Sequence, residues 1–193
     1  MCPSAGAGAG DSPLLTFGHG RLHRDELATL LTDAGVERVI DVRRFPGSKA
    51  NEAAARGQVP ELLSELGIDY RWDERLGGRR SLTKAEDAAS PDQWWRVPAF
   101  RAYGAWTRSD DFQAAMGDLA TDAATMRTAV MCSEAVWWRC HRRMIADVAV
   151  MEHDLAVEHL MHDGRLLAHE PSDGARVDDD GHVVWDGAAQ EPS

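Results

Sequence analysis

"TAVMCSEAVWWRCHRR", residues 128–143, decides how the chain is read. Thr128–Met131 reads as a buried strand. Within the next twelve residues come Cys132, Glu134, Cys140, His141 and three arginines, with Trp137 and Trp138 among them. A helix is expected from about Arg142 to Met151. In an open parallel sheet the loops that leave the carboxyl ends of the strands share one edge, and ligands bind there. The question is whether the rest of the chain repeats this strand–loop–helix order.

It does. Leu14–Phe17 reads as a short strand that ends in the tight loop Gly18-His19-Gly20. Leu27, Leu30, Leu31 and Ala34 follow helical spacing, and Gly35 suits a helix stop. Val39–Val42 is a second strand, and Pro46 and Gly47 break the loop after it. A helix over about Pro60–Leu66 precedes a third strand, Ile68–Trp72. Leu76–Arg80 is a glycine-arginine loop, and residues 81–98 read as a long loop or lid. Helices resume near Phe100 and Asp111, with Phe112, Met116 and Leu119 on one face. Val157–Leu160 is another strand, and short strands with turns follow Gly164. The expected fold is α/β: a mostly parallel central sheet flanked by helices, with a short β-rich C-terminal extension. Residues 14–186 form the expected domain, between a disordered leader (1–13) and a flexible tail (187–193).

The chain has 193 residues, a net charge of −11 and three cysteines. That length supports one sizeable core. The acidic balance disfavours broad nucleic-acid binding, although a small basic pocket is compatible with it. Nucleic acid is therefore a possible partner but not the favoured one. No apolar run reaches the length of a membrane span. The first residues lack the cationic start and apolar centre of a secretory signal, and the low, odd cysteine count suits free thiols in a reducing cytoplasm. Lys49 and Lys84 are the only lysines; the other cations are arginines, which suit planar oxyanions.

Three loops at the expected sheet edge carry chemistry. Gly18-His19-Gly20 offers a general base or an anion ligand, or a plain turn histidine. The second loop offers Arg43, Arg44, Ser48 and Lys49. Arg43 follows Asp41 by two residues, so the pair shares a sheet face and forms either an internal ion pair that orients Arg43 or a surface pair worth little. The third offers Cys132, Glu134, Cys140, His141 and Arg142. Arg79 and Arg80, beside two glycines, form either an oxyanion clamp or a solvated loop. Cys132 is either a nucleophile, its thiolate favoured by a helix end and by Arg139, His141 and Arg142, or a small buried hydrophobe. Glu134 is an acid–base residue or an arginine's partner. The spacing of Cys132, Cys140 and His141 fits no common zinc pattern, so no metal and no other cofactor are expected. Trp94, Trp95, Trp137 and Trp138 are read as packing, with stacking on a flat ligand as the alternative.

Taken together, "TFGHG", "VIDVRRFPGSK", "GIDYRWDERLGGRR", "FRAYGAW", "VMCSEAVWWRCHRRMIAD" and "AVEHLMHDG" resemble the family known as domain of unknown function 488, over about residues 14–186. The family's Met-Cys-Ala-Glu…Cys-His-Arg signature is carried by Met131, Cys132, Glu134, Cys140, His141 and Arg142. Ser133 replaces its usual alanine, Trp137 stands where proline is common, and Lys49 where arginine is usual. The resemblance implies an α/β fold and gathers His19, Asp41, Arg43, Cys132, Glu134, Cys140, His141 and Arg142 into one site. It implies no reaction. "IDVR" is similar to rhodanese-like sulfurtransferases, whose active loop spaces cysteine and arginine more tightly; that is an analogy only.

The leading expectation is an enzyme with an arginine-lined pocket for a small anionic substrate or nucleotide, using Cys132 in sulfur-transfer or phosphate-ester chemistry. A nucleotide- or nucleic-acid-processing protein and a non-catalytic regulatory module are the alternatives.

Overall fold

The computed structural model describes residues 12–47 and 51–187. The expectations for the leader and for the tail beyond residue 187 lie outside the described residues, as do Ser48 and Lys49. Five strands, β1 (Leu14–Gly18), β2 (Arg38–Asp41), β3 (Asp69–Trp72), β4 (Thr128–Cys132) and β5 (Val157–Leu160), run parallel; β6 (Leu166–Ala168) closes one edge antiparallel. The order is β3-β2-β4-β1-β5-β6. β1 and β4 are buried at every position, as central parallel strands covered on both faces must be. The α/β class and the parallel sheet are as the sequence indicated.

Alternation along the strands divides the core in two. Leu15, Phe17, Val39, Ala129 and Met131 pack with Leu27, Leu30 and Leu31 of α1 (Arg24–Asp33) and with Leu62 and Leu63 of α2 (Gln58–Glu65). Leu14, Ile40, Val130 and Cys132 face the other way. They meet α4 (Pro98–Thr107), α5 (Asp110–Thr125) and α6 (Arg142–Met151). The helix after β1 thus covers one face and the helix after β4 the other. β1 and β4 are neighbours, so the chain leaves them in opposite directions and opens a crevice at their carboxyl ends.

Residues 81–98 are mostly irregular, in keeping with the expected long loop. They contain α3 (Lys84–Ala89), whose capping box joins Thr83 and Glu86. Beyond it, Asp92 is fully buried and receives Arg108 Nη1 and Nη2 at 3.0 and 2.7 Å. Trp95 enters the core, and Trp94 N donates to Trp185 O at 3.0 Å. A segment fastened by a buried ion pair and a core tryptophan is a fixed strap. The C-terminal extension is a small antiparallel sheet of β7 (Ala175–Val177) and β8 (Val183–Trp185), packed on α6.

Candidate functional site: a cleft at the carboxyl ends of the central strands

The loops after β1 and β4 are joined before any ligand is considered. His19 N donates to Cys132 O and Gly20 N to Ser133 O, both at 3.0 Å. Arg142, 1 % exposed, donates from Nη2 to Glu134 O at 2.5 Å and from Nη1 to Thr16 Oγ1 at 3.4 Å. The expectation that Arg142 binds substrate is therefore corrected. Its guanidinium lies beneath the cleft and holds the Glu134 loop against β1. The glycines around His19 serve the same joint: a Cβ on Gly20 would meet His162 Cε1 at 2.9 Å and Ala135 Cβ at 3.0 Å. His162 Nε2 donates to Gly18 O at 2.7 Å, bringing β5's following loop to the cleft.

Above this joint is a cleft of about 1200 Å³. His19, Arg43, Arg79, Cys132, Glu134, Cys140 and His141 all line it, so the structure brings together three loops far apart in sequence. Arg21, Arg44, Phe45, Phe100, Tyr103, Arg139 and His162 line it as well.

Asp41 and Arg43 form the expected ion pair, and it is buried: Arg43 Nη2 to Asp41 Oδ2 is 2.6 Å, with side chains 5 % and 0 % exposed. Tyr70 Oη donates to the same carboxylate at 2.9 Å. Arg43 Nη1 donates to Ala54 O at 3.3 Å and reaches His19 Nε2 at 3.5 Å. Its guanidinium is thus spent inside the protein. His19 Nδ1 donates to Gly20 O at 3.1 Å, which leaves Nε2 as the acceptor facing Arg43. Burial and the Arg43 charge lower the His19 pKa to about 4. At neutral pH it is an uncharged ring held between two loops on the cleft wall, with its accepting nitrogen turned toward Arg43.

The reactive cluster is Cys132, at the end of β4, with Cys140 and His141, just before α6. Both cysteines are free and buried, with sulfurs 3.2 Å apart. His141 Nδ1 is 3.9 Å from Cys132 Sγ and 3.6 Å from Cys140 Sγ, while Nε2 donates to Val42 O at 3.3 Å. Gly78 makes room for this ring, since a Cβ there would sit 3.0 Å from Nδ1. Tyr103 packs edge-on against it, ring centres 5.1 Å apart. The neighbouring Cys140 sulfur and burial push the Cys132 thiol up to about 12. Cys140 is drawn down to about 6 by its bond with Cys132, against burial, with help from Arg142's charge and backbone N–H. The sequence placed the thiolate on Cys132. The two thiols share one hydrogen bond, and Cys140 alone also has Arg142's charge and backbone N–H beside it.

Arg79 and Arg139 are exposed on the cleft wall. Arg80 lines not this cleft but a smaller pocket beside it, together with Arg44 and Arg79. Its guanidinium stacks on Trp106 at 3.7 Å and donates to the Gly77, Glu74 and Arg75 carbonyls. Glu134 Oε1 accepts from Val136 N at 3.2 Å and is the one carboxylate on the wall among the described residues. Trp137 stacks on His159, ring centres 3.9 Å apart, as packing and not as a ligand platform. Arg21, Phe45, Phe100, Tyr103 and His162 were missed as site residues. Phe45, Phe100, Tyr103 and His162 lie within the quoted motifs and Arg21 directly follows one, but nothing in their local sequence says which of these side chains turns to the cleft.

A family model described as domain of unknown function DUF488 matches residues 23–149. No curated protein and no solved structure matches the chain.

Proposed function

The chain belongs to the family described as domain of unknown function DUF488, and on that premise we propose an enzyme that binds a small anionic substrate or nucleotide in the cleft and reacts it at the Cys132, Cys140 and His141 cluster. The observation that carries this reading is the charge of the wall. Arg21, Arg44, Arg79 and Arg139 face the cleft against one carboxylate, Glu134, in a chain of net charge −11. An acidic protein gains little stability by gathering cations at one concavity, whereas an oxyanion held there gains charge-assisted hydrogen bonds. Arg43 is neutralised by Asp41 and acts as a strut. Next to the cationic wall stand two sulfurs and an imidazole, the nucleophilic groups that the arginines would hold an oxyanion against. Sulfur transfer and phosphate-ester hydrolysis are the reaction classes that use such a pairing.

Phe45, 66 % exposed beside Arg44, favours a nucleotide among the anions, its base stacked on that ring. The reading puts the chain in a reducing cytoplasm, where both thiols stay reduced.

Thermal-shift titration with phosphate, pyrophosphate, thiosulfate and adenosine monophosphate tests the pocket. Turnover of an aryl phosphate, or of thiosulfate with cyanide, tests the chemistry. Stabilisation by at least one anion that disappears in R79A/R139A is expected. The absence of any shift at millimolar anion would remove the pocket reading.

A further inference from the structure

We infer that Cys132, Cys140 and His141 form a three-ligand site for a thiophilic divalent cation such as zinc, open to the cleft at its fourth position. The inference rests on the reading that this cluster is the reaction centre, and it changes what kind of centre that is.

Geometry is the first support. A tetrahedral zinc with sulfur ligands at about 2.3 Å and a nitrogen at about 2.0–2.1 Å sets neighbouring ligand atoms roughly 3.6–3.8 Å apart. Here the sulfurs are 3.2 Å apart, and His141 Nδ1 lies 3.6 and 3.9 Å from them. One face of the tetrahedron is therefore already assembled, and all three ligand atoms lie within 4.8 Å of one another. Only the sulfur pair has to open, by about 0.5 Å.

Orientation is the second. A metal-ligating histidine almost always gives its other ring N–H to a carbonyl or carboxylate, which fixes the tautomer and the ring plane. His141 Nε2 does this to Val42 O at 3.3 Å, leaving the Nδ1 lone pair directed at the sulfurs. The supports on either side are rigid. Cys132 ends a central strand, Cys140 and His141 enter α6, and the Gly78 backbone and the Tyr103 ring close on the imidazole. Two sulfurs and one imidazole select zinc over magnesium or calcium, which take oxygen.

The open position is the third. Closed structural zinc sites use four protein ligands, whereas three with a free position mark a centre that handles water or substrate. All three residues line the same cleft as the arginines. The spacing hid the site in the sequence because the ligands come from a strand end and a helix start, joined by a loop that doubles back. The ion would polarise an oxyanion held by the arginines or lower the pKa of a bound water.

The test is titration of reduced, full-length protein with cobalt(II) and zinc under anaerobic conditions. One cobalt per chain is expected, with a thiolate-to-cobalt charge-transfer band and the intense visible bands of tetrahedral cobalt. C132S, C140S and H141Q should each lose the charge-transfer band or weaken binding at least tenfold, with folding checked by circular dichroism. Where a variant does not fold, alkylation of the wild type decides: zinc should shield Cys132 and Cys140 together, resolved by mass spectrometry. No thiolate band at saturating cobalt, or unchanged alkylation of both thiols with zinc, overturns the site. R79A/R139A separates the two readings. Loss of the phosphate shift with cobalt binding intact supports both. Phosphate binding without any cobalt–thiolate band leaves the cleft reading standing and overturns the metal.

Discussion

Gly18 and Glu134 are in backbone contact across the joint beneath the cleft: a Cβ built on Gly18 would fall 1.8 Å from the Glu134 carbonyl oxygen and 2.8 Å from Arg142 Nη2. Neither a carbonyl nor a buried guanidinium can step aside cheaply. G18A should therefore push the Glu134 loop off β1. A loss of about 1–3 kcal/mol, as for overpacking generally, is expected in urea denaturation. G117A is the control. Gly117 lies in α5 with nothing within 4 Å of its would-be Cβ, so alanine there should be neutral or stabilising by up to about 1 kcal/mol. Equal effects of the two changes would refute the joint.

Asp41 and Arg43 exclude water almost entirely, so removing one partner leaves a stranded charge. D41A and R43M should each cost roughly 3–5 kcal/mol by urea midpoint, far above a surface pair. R43M should also perturb the His19 ring resonances, because Nε2 loses the cation 3.5 Å away. A cost under about 1 kcal/mol would mean that the pair is solvated.

The sequence was legible where local pattern and tertiary role coincide. The apolar runs of β1 and β4, the helical spacing of Leu27, Leu30 and Leu31, and the two-residue step from Asp41 to Arg43 each translate into structure without long-range information. The anchoring of residues 81–98 was not legible because it comes from Asp92 and Trp95, whose partners Arg108 and Trp185 are supplied by other segments. The cationic cluster after β4 misled for the same reason. Sequence proximity put Arg142 beside Cys132 in the pocket, but the first turn of α6 aims it at Glu134 O and Thr16. That the two thiols touch, with Cys140 just before the start of α6, is likewise not encoded in residue spacing.

Arginines of the same composition should separate by function. R79A and R139A should each weaken phosphate binding several-fold with little change in stability, because both side chains are exposed on the wall. Raising salt from about 0.05 to 0.5 M should weaken wild-type binding, since screening acts on exposed charges. R80A should leave binding nearly unchanged and lower stability by about 1 kcal/mol through the lost stack on Trp106. Isothermal titration with phosphate and urea melts on the three variants check this. A binding loss in R80A equal to that in R79A would return Arg80 to the site.

Acid sensitivity should come from two buried histidines, His19 in the cleft and His159 outside it, and His159 is the one that can be tested without touching the cleft. His159 receives Trp137 on its face and Thr16 Oγ1 at Nδ1, 2.7 Å away. Its Nε2 meets His169 Nδ1 at 3.0 Å, and His169 Nε2 in turn donates to the buried Asp147 at 2.8 Å. Burial, with the nearby His169 and Arg142, lowers the His159 pKa from 6.5 to about 3. The sign follows from proton counting. Between those two values the unfolded chain holds a proton on this residue that the folded chain does not, so stability is complete above about pH 6.5 and declines as pH falls toward 3. One such proton gives a slope of about 1.4 kcal/mol per pH unit. The carboxylates Asp87 and Asp163, held below 3.8 by Arg101 and Arg165, act only at lower pH, whereas His19, lowered to about 4, adds a second proton in the same window that H159Q leaves in place. Urea midpoints of the wild type should fall from pH 7.5 to pH 5. H159Q, whose amide retains donors and acceptors toward Thr16 and His169, should start less stable at pH 7.5 and lose about one proton's worth of slope. Parallel pH profiles for the two proteins would show that His159 is protonated in the folded state, and that the Thr16–His159–His169–Asp147 chain is not closed to protons as its hydrogen bonds require.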